Sequence, residues 1–274
     1  MAGGRRPASP EPSPKGRGGS VVGRLPERLL SLAVLLGMLA GWELLIRLRG
    51  LPPLVLPGPD LVLREVAEQV SSGFIWPHLW VTLAEVLLGF AAGGALGIGL
   101  GALVAHSARL GGVLRPYIVA SQAMPKLAFA PILVIWLGYD LAPKVVVTAL
   151  ISFFPLFENT VAGLQAVDPD QIELFRSLRA NGWQSFLKLR LPSAVPFVVA
   201  GLRVALILSL VGAVVAEFVG ANKGLGALIV GAQGTMNTPL MFAVFVVLTV
   251  VGIALSLLAD FAERLALRWR YGEE

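Results

Sequence analysis

Asp168 to Pro192 reads DPDQIELFRSLRANGWQSFLKLRLP, between hydrophobic runs that are each long enough to cross a bilayer. The stretch is too charged to be a span and too regularly patterned to be an irregular loop. Asp168, Pro169 and, three residues after the aspartate, Gln171 form a helix start signal: a side-chain cap, a proline at the first helical position and a capping-box partner. The spacing of Leu174, Phe175 and Leu178 predicts one apolar face on that helix, and Asn181-Gly182 supplies a stop. A second short turn carries Trp183, Phe186 and Leu187 on an apolar face beside Lys188 and Arg190, and Leu191-Pro192 closes it. On physical grounds two readings stand level. One is an interfacial helix lying on anionic lipid headgroups; the other is a helical platform through which another protein pushes on the membrane part.

Composition settles the surroundings. In 274 residues, 56% are hydrophobic and only 14% charged, with a mean hydropathy of +0.78, which is too apolar for a soluble domain. The chain is read as an integral membrane protein. Its net charge of +5 is explained by membrane topology rather than by nucleic acid. No cysteine is present, so disulfides, thiol catalysis and thiolate metal sites are excluded, and His78 and His106 are too few for a histidine metal cluster.

Residues 1–24, rich in Pro, Gly, Ser and Arg, cannot repay their chain entropy by burial and are expected to be a disordered tail. No small-residue cleavage site follows the first hydrophobic run, which is therefore expected to stay attached. Residues 25–274 then form one transmembrane domain. Six runs approach or exceed the roughly 20 residues a bilayer requires: 29–46, 81–105, 118–137, 145–161, 194–219 and 240–259. Pro125 and Pro131 interrupt the third and Pro155 the fourth, which predicts kinked helices. With the N-terminus inside, fifteen of the 22 Lys and Arg residues fall on the inner side and five on the outer, which places both termini and the 168–192 stretch in the cytoplasm.

The outer segment from Gly50 to Trp80 predicts an amphipathic helix over 59–70, with Asp60 as a candidate cap. In the second run Gly89, Gly93, Gly97 and Gly101 recur every four residues, a stripe that lets two helices approach closely. Packing within one subunit is favoured over a dimer face.

Three stretches carry a family likeness: RSLRANGWQSF, then LRLPSAVP, then AGLRVA. Together they resemble the EAA loop of ABC importer permeases of the nitrate, sulfonate and taurine type. MPKLAFAPILVIWLGYDLAPKVV from Met124, FFPLFENTVAGLQAVDPD and VVAEFVGANKGLGALI resemble the following segments of that family in order, so the likeness covers roughly 79–259. Glu173 matches the motif glutamate, Ala180 its later alanine, and Leu191 and Pro192 its closing pair. Leu174 and Phe175 replace two motif alanines, and Arg179 stands where the motif glycine is expected.

The resemblance implies an all-α membrane fold of the type I ABC importer kind, with a coupling helix between helices 4 and 5. Glu173, Leu174, Phe175, Leu178, Arg179, Ala180, Gly182, Leu191 and Pro192 would then face a groove of a cytoplasmic ATPase. It also implies a homodimer in the bacterial inner membrane, an extracytoplasmic solute-binding protein, and ATP and Mg used by the partner ATPase. No cofactor is expected on this chain, which has no Gly-rich Walker loop. A nitrate-, sulfonate- or taurine-like anion is the favoured solute, with a thiamine-precursor pyrimidine or a flavin as alternatives.

Ionisable residues within a bilayer are functional candidates by default. Arg203, Glu43 and Glu85 lie near span ends and are read as structural, and Glu158 as a local partner of the coupling region. Lys126 and Glu217 are the candidate pathway residues. A cation facing a wet cavity would lower the barrier for an anion, whereas a Lys126 paired with Glu158 or Glu217 would be structural, and the residues alone do not separate these. An ion-coupled secondary transporter is the competing class, disfavoured by the lack of an evident inverted repeat. A membrane-embedded enzyme is weaker still, for want of a nucleophile and base, a metal-ligand cluster or a carboxylate pair.

Overall fold

Backbone groups in lipid must be satisfied within the protein, which confines a chain this apolar to helices or a closed barrel. The computed structural model describes residues 27–268, and among them every regular element is helical. The tail expected over 1–24 lies outside the described residues.

Two units divide the chain at Arg49. The first contributes α1 (Glu27–Arg49), a long apolar helix whose last turn carries Arg47 and Arg49. Arg47 Nε donates to Glu43 one turn back at 2.7 Å.

In the second unit, α2 (Pro59–Ser71) precedes α3 (Ile75–His106). Gly58 takes the N-cap of α2 with no side-chain cap, so the expected role of Asp60 is not realised; Asp60 sits in the first turn. Next come α4 (Ala108–Ala123), a 3-10 turn at Lys126–Phe129, α5 (Ala130–Leu137) and α6 (Leu141–Gln165). After α6 follow α7 (Pro169–Ser177), α8 (Gly182–Ser185), a π turn at Phe186–Arg190, α9 (Leu191–Glu217), α10 (Leu225–Gly234) and α11 (Thr238–Ala266).

Among the described residues, five helical stretches are long and apolar enough to cross a membrane: Leu29–Arg49, Ile75–His106, Leu141–Gln165, Gly182–Glu217 and Thr238–Ala266. A sixth arises if α4 and the Lys126–Leu137 segment act as one span, bent by 81° between them. That run is broken rather than kinked. Pro125 lacks the N–H that would continue the α4 ladder, and Met124 before it is extended. Pro155, by contrast, lies inside an unbroken α6.

The glycine stripe of α3 packs on α6 within the chain. A Cβ on Gly93 would overlap the Ala149 carbonyl oxygen, on Gly97 the Phe153 carbonyl oxygen, and on Gly89 the Thr148 side chain. Ser152 Oγ crosses the seam to donate to the Gly89 carbonyl at 3.2 Å. These contacts advance in the same direction along both helices, so α3 and α6 run parallel. α9 packs on α6 in the opposite sense, Gly163 meeting Ala194 while Gly212 meets Ile151, and it also meets α3, where Val86 packs with Leu210 and Ala213. On the far side of α9, Arg203 is held to α11 by Asp260 at 2.9 Å and Glu263 at 3.6 Å. The fold thus has two ends. One gathers the end of α3, the starts of α4 and α9, and α7 and α8; the other gathers the starts of α3 and α6, the end of α9, and α10.

Candidate functional site

At the first end α7 and α8 form a two-helix platform. Asp168 caps α7 by accepting from the Asp170 N–H at 2.9 Å, and Pro169 opens the helix. Gln171 does not complete a capping box. The reciprocal box lies one helix later: the Asn181 side chain accepts from the Gln184 N–H at 2.7 Å, and the Gln184 side chain accepts from the Asn181 N–H at 2.9 Å. Asn181 therefore starts α8 rather than stopping α7.

The stop is made by Arg179. Its φ of 53° is left-handed, its N–H bonds Arg176 O at 2.9 Å, and the Ala180 N–H bonds Phe175 O at 3.0 Å. Those two bonds are the Schellman closure, whose central position glycine normally fills. The turn is not shifted to Asn181-Gly182; an arginine occupies the glycine position and adopts its conformation. Arg179→Gly is accordingly expected to keep the fold and raise its stability by about 1 kcal/mol, and the β-branched Arg179→Val to lower it, read as opposite shifts in thermal melting.

Adjacent residues on a helix point about 100° apart, so Leu174 and Phe175 part company. Leu174 and Leu178 are exposed, with Leu178 at 69%, and Trp183, Leu187 and Leu191 continue the apolar surface. Phe175 is half-buried and turns inward with Ile172, lining a cleft of about 290 Å³ with Ala180, Gly182 and Phe186. Glu173 is exposed on the outer side and Pro192 is half-buried. The platform thus presents a leucine and tryptophan ridge outward, while Ile172 and Phe175 line the cleft together with the buried Leu189.

The opposite end holds a buried polar network. Glu217 is 1% exposed; it accepts from Thr82 Oγ1 at 2.6 Å and from the Gly226 N–H. The Leu225 N–H donates to Thr82 Oγ1 at 2.8 Å. Two of the first N–H groups of α10, which no helix can satisfy internally, are therefore capped from α3 and α9. Gly224, at φ 127°, and Gly226 leave the room that the Glu217 carboxylate fills. His78 Nδ1 lies 3.0 Å from the Gly224 carbonyl and 3.2 Å from its N–H, the tautomer deciding which bond is made.

Beside this cap, the fully buried Glu85 faces Lys144 Nζ at 3.8 Å. Lys144 also donates to the carbonyls of Tyr139 at 3.2 Å and Asp140 at 3.1 Å. From the sequence, Thr82 and Lys144 have no assigned role, and His78 enters only to set aside a metal cluster. The available signal was the order His78, Thr82, Glu85, Gly89, a polar stripe at helical spacing that runs directly into the glycine stripe on the same face of α3. Glu217 is enclosed by protein in this network rather than open to a pathway.

Lys126 is elsewhere. It sits half-buried at the break between α4 and α5, its Nζ 5.4 Å from the Phe154 ring centroid, a cation–π distance. Neither expected carboxylate reaches it. Glu217 is engaged with Thr82 and Gly226, and Glu158, also half-buried, has no hydrogen bond or ion pair among the described residues.

A packed α3–α6–α9 core, a broken span and a helical platform between spans are the geometry of a multi-span helical membrane protein. Residues 95–269 match the family described as binding-protein-dependent transport system inner membrane component, and the chain belongs to that family. It is 39% identical over 232 residues to the riboflavin transport system permease protein RibX of Chloroflexus aurantiacus, covering 85% of this chain and 87% of that one. Identity is 37% over 230 residues to the formylaminopyrimidine transport permease protein ThiX of Halalkalibacterium halodurans, covering 84% and 91%. It is 32% over 237 residues to a putative aliphatic sulfonates transport permease protein, SsuC, of Bacillus subtilis, covering 86% of each. Among solved structures, an inward-facing form of the MetNI methionine ABC transporter superposes with a TM-score of 0.59 at 22% identity, over 68% of this chain and 93% of that one. An amino acid ABC transporter solved with histidines gives 0.61 at 22%, over 72% and 96%. These two share the fold, that of type I ABC importer permeases.

Proposed function

We propose that this permease subunit works as one half of a homodimer in the bacterial inner membrane, carrying a small solute by alternating access under the drive of a separate ATPase. The observation that carries this is the exposed ridge of Leu174, Leu178 and Trp183 on a capped, Schellman-closed helix pair. Large apolar side chains held outward on a rigid support suit a groove in a partner better than bulk water. The excess of Lys and Arg at the platform end orients that end, and both termini, to the cytoplasm. Binding of ATP would close the ATPase pair, draw the two platforms together and open the pathway outward, and release after hydrolysis would reverse it; the ATP and Mg belong to that partner. An extracytoplasmic solute-binding protein would deliver the solute at the α10 end.

For the solute, a sulfonate-like anion is supported by Lys126, a cation without a carboxylate partner at the break of a discontinuous span, where transported ions and solutes are met in membrane proteins. A flavin or pyrimidine is the second reading, supported by the names of the relatives at 39% and 37% identity. Competition of riboflavin, an aminopyrimidine and an alkanesulfonate for the solute-binding partner separates the two.

The docking claim has its own test. Leu178→Arg or Glu173→Arg is expected to leave the chain inserted while cutting ATP-driven uptake at least tenfold, the first because an unpaired charge pressed into an apolar groove costs more than about 1.4 kcal/mol and the second because it reverses the charge beside the ridge. Uptake and ATP hydrolysis are measured together in proteoliposomes with the ATPase and binding protein present. Undiminished uptake by either variant defeats the docking claim.

A further inference from the structure

We propose that the cleft between the end of α3, the first half of α4 and the end of α6 binds an oxyanion, with Arg115 as its cation and Gln165 as its second polar group. The cleft is open to the surface and has a volume of about 590 Å³, with apolar side chains such as Val104 and Val161 in its wall. Arg115 and Gln165, both exposed, bring the polar side chains to its lining. Neither has a hydrogen bond or ion pair among the described residues.

Arg115 is exposed and, like Lys126, has no carboxylate partner among the described residues. It lies within the Arg109–Ala123 half of the broken span, where an ionisable side chain needs a partner, water or a ligand. Two other cations on the long helices do have carboxylates: Arg203 has Asp260 and Glu263, and Lys144 has Glu85. A guanidinium presents a planar fork of donors that matches the oxygens of a phosphate, sulfonate or carboxylate in pairs. Gln165 adds an amide donor from the opposite wall. The apolar remainder of the cleft favours a ligand with hydrocarbon behind its charged group. Gly112 also lines the space, and a Cβ there would meet nothing within 4 Å. No packing contact demands glycine at that position, and its missing side chain keeps the cleft open.

Two sources supply such chemistry: the headgroup of an anionic phospholipid, or a soluble organic oxyanion. Full-length chain in nanodiscs of phosphatidylcholine alone is titrated with ethanesulfonate while tryptophan fluorescence is followed. In nanodiscs of mixed phosphatidylcholine and phosphatidylglycerol, retained phosphatidylglycerol is counted by native mass spectrometry. Saturation by ethanesulfonate identifies a soluble ligand, retained phosphatidylglycerol identifies lipid, and either supports the site. Arg115→Gln is expected to weaken the observed binding at least tenfold. Gly112→Leu, which fills the cleft and leaves the charge in place, is expected to do the same, while Arg115→Lys keeps part of it. Binding of neither probe to the unaltered chain, or wild-type binding by Arg115→Gln or Gly112→Leu, overturns the proposal. These assays need neither ATP nor a partner, so their failure and a failure of ATP-driven transport are distinguishable.

Discussion

A chain carrying Gly93→Val is expected to reach the membrane but not to assemble a stable α3–α6–α9 core. The Cβ alone would overlap the carbonyl oxygen of Ala149 and the hydroxyl of Ser152. The first of these is backbone and cannot rotate aside; relief requires α3 and α6 to separate along the whole seam from Gly89 to Gly101. Overpacking of this kind costs about 1–3 kcal/mol even for one added carbon, so Gly93→Ala already melts early and valine does worse. Gly99 on the same helix is the control. Nothing lies within 4 Å of its Cβ position, and Gly99→Ala is expected to gain about 0.5–1 kcal/mol from helix propensity. Thermal melting in detergent, followed by the fraction surviving as a monodisperse peak, ranks the three. Equal melting of Gly93→Ala and Gly99→Ala would remove the close-approach account.

Lys144→Met is expected to be nearly as damaging, for an electrostatic reason. Lys144 is 5% exposed and Glu85 fully buried, and Glu217 stands within electrostatic reach of both. Removing the ammonium leaves two carboxyl groups in a dry site without their cation, and breaking a buried pair from one side costs about 3–5 kcal/mol. The double variant Lys144→Met with Glu85→Leu removes both partners and should recover most of that loss. If the double variant melts no higher than Lys144→Met alone, the two residues do not act as a pair.

Much of this architecture is legible in the residues. The long apolar runs declare the spans, the four-residue repeat of glycine announces a close helix pair, and Asp168-Pro169 marks the start of the platform. What the residues conceal has definable physical causes. Lys144 precedes the fourth apolar run by one position and so reads as a loop residue, yet α6 begins three residues earlier and carries it inward. Its partner Glu85 is distant in sequence, and no local pattern reveals a pairing made by tertiary packing. Asn181-Gly182 resembles a helix stop, but the same asparagine serves equally as an N-cap, and only the hydrogen bonds decide. The left-handed backbone of Arg179 is hidden because arginine rarely adopts it. The break near Pro125 is visible as a proline, while its 81° angle depends on where α4 and α5 find neighbours.

The parallel pairing of α3 with α6 also orders events during synthesis. The glycine face of α3 is complete before the first residue of α6 has been made, since α4 and α5 come between. For that interval α3 waits in lipid with its backbone uncovered, and any passing helix with small side chains is a competitor for the seat. The polar stripe ahead of the glycines, His78, Thr82 and Glu85, makes such a mismatch costly, because a wrong neighbour offers neither the lysine of α6 nor the amides of α10. Fidelity of assembly and rigidity of the finished core are thus written on one face of one helix.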